Sequence, residues 1–204
     1  LQAEQFANNA KTRFLAAASH DLRQPLHTLS LLSAALAMRP LDDKSARIAR
    51  SMNEAMSDLS SELDSLLDIS KLDAGVVHVE HEPIDLVPMV SRIVASMVDQ
   101  ATRKQLALVT GPLTQTCVRS DRALLERVLR NLIDNAIKYT VAGSIVVSVQ
   151  SADGRCVIEV RDTGTGIAEA DQDRIFDEFY QVGNVERDRR KGLGLGLSIV
   201  RRLA

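Results

Sequence analysis

The feature that most constrains this chain is an apolar repeat near its start. Leu15, Ala18, Leu22, Pro25, Leu29, Leu32 and Leu36 follow one another in alternating steps of three and four, the a/d seam of a coiled coil or helix bundle. The spacing predicts one long helix over residues 1–37, far beyond the usual length of about 11–12 residues, and a helix that long needs a partner to cover its stripe. Arg39-Pro40-Leu41-Asp42-Asp43 interrupts the pattern. A second run at Ile48, Met52, Ala55, Leu59, Leu63 and Leu66 carries to about Leu72 and ends at Gly75. Two such helices form a hairpin whose stripes are not fully covered within one chain. The expected solution is an all-α helical hairpin that pairs with a second copy as a dimeric four-helix bundle, giving a homodimer through residues 1–75.

Inside the first run stands Ser19-His20-Asp21-Leu22-Arg23-Gln24-Pro25. His20 falls two positions after the seam residue Ala18, which puts it on the outer face as a candidate surface nucleophile beside the Asp21 carboxylate. Pro25 donates no backbone hydrogen bond and its ring crowds the Asp21 carbonyl, so the helix should bend or loosen there. A solvated histidine beside an incidental kink fits the same residues.

Composition limits the rest. The 204 residues are 45% hydrophobic and 25% charged with a net charge of −2, enough to build a buried core and without the basic excess of a nucleic-acid binder. The longest uncharged run, Gln24 to Met38, is short of the roughly 18–20 apolar residues of a membrane span, so no membrane contact is expected of this segment, although an upstream sensor or membrane segment is compatible with it. Cys117 and Cys156 lack metal-ligand spacing and read as reduced thiols. A cytoplasmic location is expected, including that of the cytoplasmic part of a membrane-bound sensor. His78 and His81, three apart on a strand-like segment, should face opposite ways and do not make a metal pair.

From residue 76 the pattern changes. Val76–Glu80 alternates like a strand, and Glu82-Pro83-Ile84-Asp85 reads as a turn into a helix capped by Asp85 and running to about Arg103. Strands are expected at Leu106–Val109 and Thr116–Arg119, then an Asp121-capped helix to Tyr139. Strands at Ser144–Gln150 and Cys156–Arg161 should follow, joined by an Asp153-Gly154 hairpin turn. The result is an α+β sandwich over residues 76–204, with a mixed sheet and its helices on one face.

Chemistry collects in that half. On the 121–139 helix, Leu125, Leu129, Leu132 and Ala136 make the buried stripe. Asn131, Asn135 and Lys138 share another face with Tyr139 at its margin. Two amide oxygens and an ammonium suit a hydrated Mg²⁺ that bridges phosphates, although they also suit a solvated helix face. Asp162-Thr163-Gly164-Thr165-Gly166-Ile167 follows a strand directly. A carboxylate there accepts an exocyclic amino group such as that of adenine and repels the carbonyl of guanine, and the glycines let backbone approach a flat ligand. Lys191-Gly192-Leu193-Gly194-Leu195-Gly196 precedes a helix and can present backbone N–H groups to an anion, but it has neither the dinucleotide nor the P-loop spacing. Phe176-Asp177-Glu178-Phe179-Tyr180 gathers three of the six aromatic residues and reads as an anchor for the charged segment Gln181–Arg190, a candidate lid over phosphates.

Taken in order, these segments resemble the histidine kinases of two-component signalling, hybrid kinases included. Ser19–Pro25 is similar to the family's H box, Asn131–Thr140 to its N box, Asp162–Ile167 to its G1 box, Phe176–Tyr180 to its F box and Gly192–Gly196 to its G2 box. The resemblance implies a dimerisation and phosphotransfer hairpin followed by an ATP-binding domain of the fold shared with gyrase, the Hsp90 chaperone and MutL. It implies His20 as phosphoacceptor, with Asp21 as its proton partner. ATP would be held by Asn131, Asn135, Lys138, Tyr139, Asp162, Gly164, Gly166, Lys191, Gly192, Gly194 and Gly196, with Mg²⁺ on Asn135 and Asn131. It also implies a response-regulator receiver domain as partner, whose aspartate takes the phosphoryl group. Two departures matter. Arg127 stands one turn before Asn131 where hydrolases of the wider fold place a glutamate, which favours transfer over hydrolysis. Gln24 occupies the position where many family members carry Thr or Asn to orient water for dephosphorylation. In the family the domain continues past the last glycine-rich helix to a terminal strand hairpin, whereas the sequence ends at Arg202-Leu203-Ala204, so a C-terminally incomplete ATP-binding domain is expected.

Overall fold

The computed structural model describes residues 21, 24–36, 38–39, 41–73, 79–152, 154–183 and 193–203. It divides into a helical unit and an α/β unit between residues 77 and 78. His20, most of the predicted first helix (1–20), the segment 74–78, Asp153, the lid residues 184–190, Lys191 and Gly192 all lie outside the described residues.

In the helical unit, α1 covers residues 24–36, with Asp21 also helical, and α2 is Asp43–Asp73. The break between them also starts α2. The Asp42 carboxylate accepts from the Ser45 backbone N–H at 2.7 Å and from the Ser45 hydroxyl at 3.2 Å, and its carbonyl accepts from Ala46 N. These bonds satisfy N–H groups that a helix start leaves open and hold the Asp42 carboxyl below its usual value, the Ser45 backbone bond first among them. Ser33 and Ala49 are buried where α1 meets α2, and the Ser33 hydroxyl donates to the Ala49 carbonyl at 3.3 Å. Among the described residues the predicted seam is otherwise mostly open, with Leu63 half-buried. Leu29, Leu32, Leu36, Ile48, Met52, Leu59 and Leu66 are all exposed in the single chain.

The α/β unit contains β1 (Glu82–Asp85), α3 (Leu86–Arg103), β2 (Leu106–Leu113), β3 (Cys117–Ser120), α4 (Arg122–Tyr139), β4 (Gly143–Ala152), β5 (Arg155–Asp162) and α5 (Gly196–Leu203). Short 3-10 turns lie at Glu169–Asp171 and Arg174–Phe176. The central sheet is mixed, in the order β2-β4-β5. β2 runs parallel to β4, β4 antiparallel to β5, and Ala152 opposite Arg155 leaves a two-residue turn in which Gly154 takes φ +72°. Ile145, Val147 and Val149 of β4 and Leu106 and Leu108 of β2 face one way. They pack there against Met89, Ile93 and Met97 of α3 and Ile133 and Ile137 of α4. The opposite face shows Val109 and Val157 to solvent, so the helices cover one face only.

Three expectations need correction. Glu82–Asp85 is not a turn. It is a strand paired antiparallel with β3, Ile84 opposite Val118, and this separate two-stranded sheet tolerates Pro83 because each of its strands keeps a free edge. Residues 79–81 carry no strand, so the described part of the predicted Val76–Glu80 strand is irregular. The buried stripe of α4 is Leu129, Ile133, Ala136 and Ile137, with Leu125 packed at its edge and Leu132 only half-buried.

Candidate functional site

The site is built around α4, which is held at both ends. At its start, Asp121 Oδ1 accepts from Leu124 N at 3.0 Å and Oδ2 from Glu80 N at 2.9 Å, bonds that lower the Asp121 carboxyl below its usual value, the Leu124 bond most. At its end, Lys104 Nζ donates to the carbonyls of Ile137 and Lys138. With the Ile133 face sunk in the core, the helical period leaves Asn131, Asn135 and Lys138 on another face, all half-buried.

Asn131 Nδ2 donates to the Arg127 carbonyl at 3.0 Å, which turns Oδ1 away from its own helix. That oxygen meets the first residue of α5. A β-carbon at Gly196 would stand 3.1 Å from Asn131 Oδ1 and 3.6 Å from Asn135 Nδ2. α5 is fixed there by the buried residues Leu195 and Ile199. The Asn135 Nδ2 atom is itself buried and has no hydrogen-bond partner among the described residues. An orphaned buried amide costs about 1–3 kcal/mol, so a partner from outside the chain would find a group prepared for it.

A second group of residues lies where β5 ends. Asp162 Oδ1 accepts from Gly164 N at 2.8 Å, which leaves Oδ2 for another donor. A β-carbon at Gly164 would lie 2.6 Å from Asp162 Oδ1, 2.7 Å from the Tyr139 carbonyl and 3.2 Å from Thr140 Oγ1. The strand-end carboxylate therefore adjoins the last turn of α4. Thr140 is buried, and its hydroxyl has no partner among the described residues. Thr163 holds the strand ends together: its Oγ1 accepts from Ser144 N and donates to the Ala142 carbonyl, and its N–H donates to the Ser144 carbonyl. Tyr139 has its hydroxyl pushed up in pKa by burial and then by Asp134, so at neutral pH it stays protonated and can donate. Lys138 Nζ lies 5.3 Å from the centre of the Tyr139 ring.

The glycine-rich turn closes a third side. Gly194 takes φ +73°, and a β-carbon there would meet the Tyr180 carbonyl at 2.8 Å. Tyr180 is fastened by its hydroxyl to Asp171 and by the Arg174 guanidinium 4.2 Å from its ring centre, while Glu178 pairs with Arg202 of α5. The 176–180 aromatics thus support the glycine turn, but not as a uniform anchor. Phe176 and Tyr180 are half-buried, whereas Phe179 is 58% exposed with φ +61°.

Of the residues read from sequence, Asn131 and Asn135 meet at Gly196; Tyr139, Asp162 and Gly164 meet at the end of β5; and Gly194 packs on Tyr180. Gly166, at φ +68°, has open space where a side chain would be. Asp21 and Gln24 are exposed on the helical unit, where the Gln24 carbonyl accepts from the Thr28 hydroxyl. His20, Lys191 and Gly192 are outside the described residues. Thr140, Thr163 and Lys104 were not picked out from the sequence. The contacts that give them a role join positions some 20–35 apart, and only the helix-ending place of Thr140 after Tyr139 is a local signal.

A helical hairpin followed by an α/β layer with a glycine turn set against paired asparagines defines a two-part class, a helical domain joined to a nucleotide-binding layer. Residues 10–75 match the family model described as the His Kinase A (phospho-acceptor) domain, and residues 120–204 match the model described as the Histidine kinase-, DNA gyrase B-, and HSP90-like ATPase. The chain belongs to the sensor histidine kinases. It is 34% identical to Sensor histidine kinase RcsC of Escherichia coli (strain K12), over 99% of this chain and 22% of that protein. Among solved structures it is similar to full-length ShkA in complex with AMPPNP, with a TM-score of 0.73 and 27% identity over 94% of this chain and 40% of that one. It is also similar to the Acinetobacter baumannii histidine kinase AdeS, with a TM-score of 0.58 and 27% identity over 90% and 85%. The chain spans about a fifth of the length of RcsC.

Proposed function

We propose that this chain is the catalytic core of an ATP-dependent protein-histidine kinase that phosphorylates its own His20. Asp162 takes the adenine amino group on its free oxygen, while Asn131, Asn135 and Lys138 meet the phosphates beside the glycine turn. The observation that carries this reading is the Asn131–Asn135–Gly196 contact with its orphaned buried amide. The donor set also fits Mg²⁺. Asn131 Oδ1 is a neutral hard oxygen, and rotating the Asn135 amide by half a turn, which leaves its shape unchanged, would present a second. When bound, Mg²⁺ supplies charge neutralisation at the phosphates.

As a neutral imidazole, His20 has a ring nitrogen lone pair. That nitrogen forms a bond to the γ-phosphorus as the bond to the β–γ bridging oxygen breaks, and ADP leaves. Asp21 takes a hydrogen bond from the other ring nitrogen and steadies the positive ring. The phosphoryl group then passes to a carboxylate oxygen of an aspartate on a response-regulator receiver domain. Autophosphorylation takes place in a homodimer assembled through residues 1–75, and the exposed Leu29–Leu36 and Ile48–Leu66 stripes support that assembly. Gln24, in place of Thr or Asn, sets a dephosphorylation rate that differs from the family's common form.

Incubating the chain with Mg-ATP should give an acid-labile, base-stable phosphoryl group that disappears in His20→Ala and in Asn135→Ala. Acid-stable label, or label that survives in His20→Ala, would overturn the reading. Steady release of phosphate independent of His20 would point to an ATPase instead.

A further inference from the structure

We infer that Lys104 is a positioning residue for the nucleotide site, acting through the last turn of α4. α3 and α4 run in the same direction and are joined by four polar rungs at successive turns. Arg92 Nη2 meets Glu126 Oε1 at 2.9 Å, Arg130 Nη1 donates to Ser96 Oγ at 3.1 Å, and Gln100 Nε2 donates to Asp134 Oδ1 at 2.8 Å. The fourth rung is of another kind. Lys104 Nζ reaches past side chains to backbone, donating to the Ile137 carbonyl at 3.1 Å and the Lys138 carbonyl at 3.3 Å.

The last carbonyls of a helix have no partner within it, and a cation there also meets the negative end of the helix dipole. Thr140 N closes only the Ala136 carbonyl. Lys104 therefore completes the turn that carries Lys138 and Tyr139 and delivers Thr140 and the Tyr139 carbonyl to the Asp162–Gly164 corner. Its own position is strongly constrained. Lys104 N donates to the Ala101 carbonyl, Gln105 N to the Thr102 carbonyl, and Gln105 takes φ +59°, a conformation a non-glycine residue rarely adopts. This tight turn starts β2 at Leu106, directly opposite Gly143 of β4. One corner thus fixes the end of α4 and the sheet register together.

The inference rests on the nucleotide site proposed above, and direct binding separates the two. In the full chain, the Kd of ATP and the KM and kcat of autophosphorylation are measured for wild type, Lys104→Met, Lys104→Arg and Arg92→Met. Arg92→Met removes the rung farthest from the site. Lys104→Met should raise Kd and KM for ATP about fivefold, with kcat changed much less. Lys104→Arg should restore most of the loss, and Arg92→Met should bind ATP as wild type does. Equal ATP affinity in wild type and Lys104→Met, or the same loss in Arg92→Met, would overturn the positioning role while leaving the site intact. A wild type that binds no ATP would overturn both.

Discussion

Gly196 lies against Asn131 so closely that a β-carbon there would stand 3.1 Å from the asparagine Oδ1. This is tighter than ordinary van der Waals contact, and the oxygen it would displace is one of the proposed phosphate-side ligands. Gly196→Ala should therefore weaken ATP binding about tenfold, as expected when a ligand pair is moved by a few tenths of an ångström. At the first residue of α5 alanine is the better helix former, so the melting temperature should hold or rise. Calorimetric titration with ATP beside a thermal melt checks both; a fall in Tm with unchanged affinity would contradict the packing argument.

Gly194 and Gly154 both take a left-handed backbone, at φ +73° and +72°, yet they differ in surroundings. A β-carbon at Gly154 meets nothing within 4 Å, while one at Gly194 meets the Tyr180 carbonyl at 2.8 Å. Gly154→Ala should lose only the conformational cost of about 1–2 kcal/mol, with ATP affinity unchanged. Gly194→Ala carries that cost and must also push the backbone of the glycine turn off Tyr180. Urea unfolding should show it the less stable of the two, and ATP binding should fall in it alone.

Much of this was legible because it is local. The Asp121 cap, the 3.6-residue period and Tyr139 as the last helical residue placed α4 at its observed bounds, and the face carrying Asn131, Asn135 and Lys138 followed. What escaped depends on partners distant in sequence. Glu82–Asp85 becomes a strand only because Cys117–Ser120 pairs with it, and no pattern within Glu82-Pro83-Ile84-Asp85 announces that. The stripe through Leu132 and the one through Ile133 are both apolar; the sheet selects the second by presenting Ile145 and Val147 to it. Thr163 reads as part of an acidic glycine turn until its hydroxyl is found on Ser144 and Ala142.

Asp162 offers one carboxylate oxygen to Gly164 N and keeps the other. In Asp162→Asn an amide can still accept from Gly164, but it no longer provides a charged acceptor for the adenine amino group. Affinity for ATP should fall about 10- to 100-fold, the range for losing a hydrogen bond to a charged group. GTP should lose little, because its carbonyl was repelled to begin with. Competition between the two nucleotides against a fluorescent ATP analogue measures the change in ratio.

Asp121 has its carboxyl lowered on folding, chiefly by the Leu124 N–H and then by the Glu80 N–H. A carboxyl with a lowered folded pKa adds stability above its unfolded value, and that contribution is lost as pH falls through the lowered one. Asp121→Ala should therefore reduce the urea midpoint clearly at pH 7 and progressively less below about pH 4, where the unfolded carboxyl takes up its proton first and the folded cap only at lower pH. A difference that stays constant from pH 7 to pH 3 would mean that the side chain acts by something other than its charge.

Leu32 of α1 is 63% exposed in the single chain, yet it sits on the same three-and-four repeat as Leu29 and Leu36. On α2, Ile48 and Met52 share one open helix face with Lys44, Arg47, Ser51 and Ala55. Covering side chains of this size is worth about 1.5–3 kcal/mol each, which a second copy of the hairpin would supply. A charge at Leu32 costs little in an isolated chain, where the position is already wet, and a great deal in a bundle core. Leu32→Lys should therefore convert a dimer to a monomer by light scattering with the helical circular dichroism of the α/β unit retained. Val109→Lys, on the open face of the sheet, should leave the dimer intact. A Leu32→Lys protein that stays dimeric would place the interface away from this stripe.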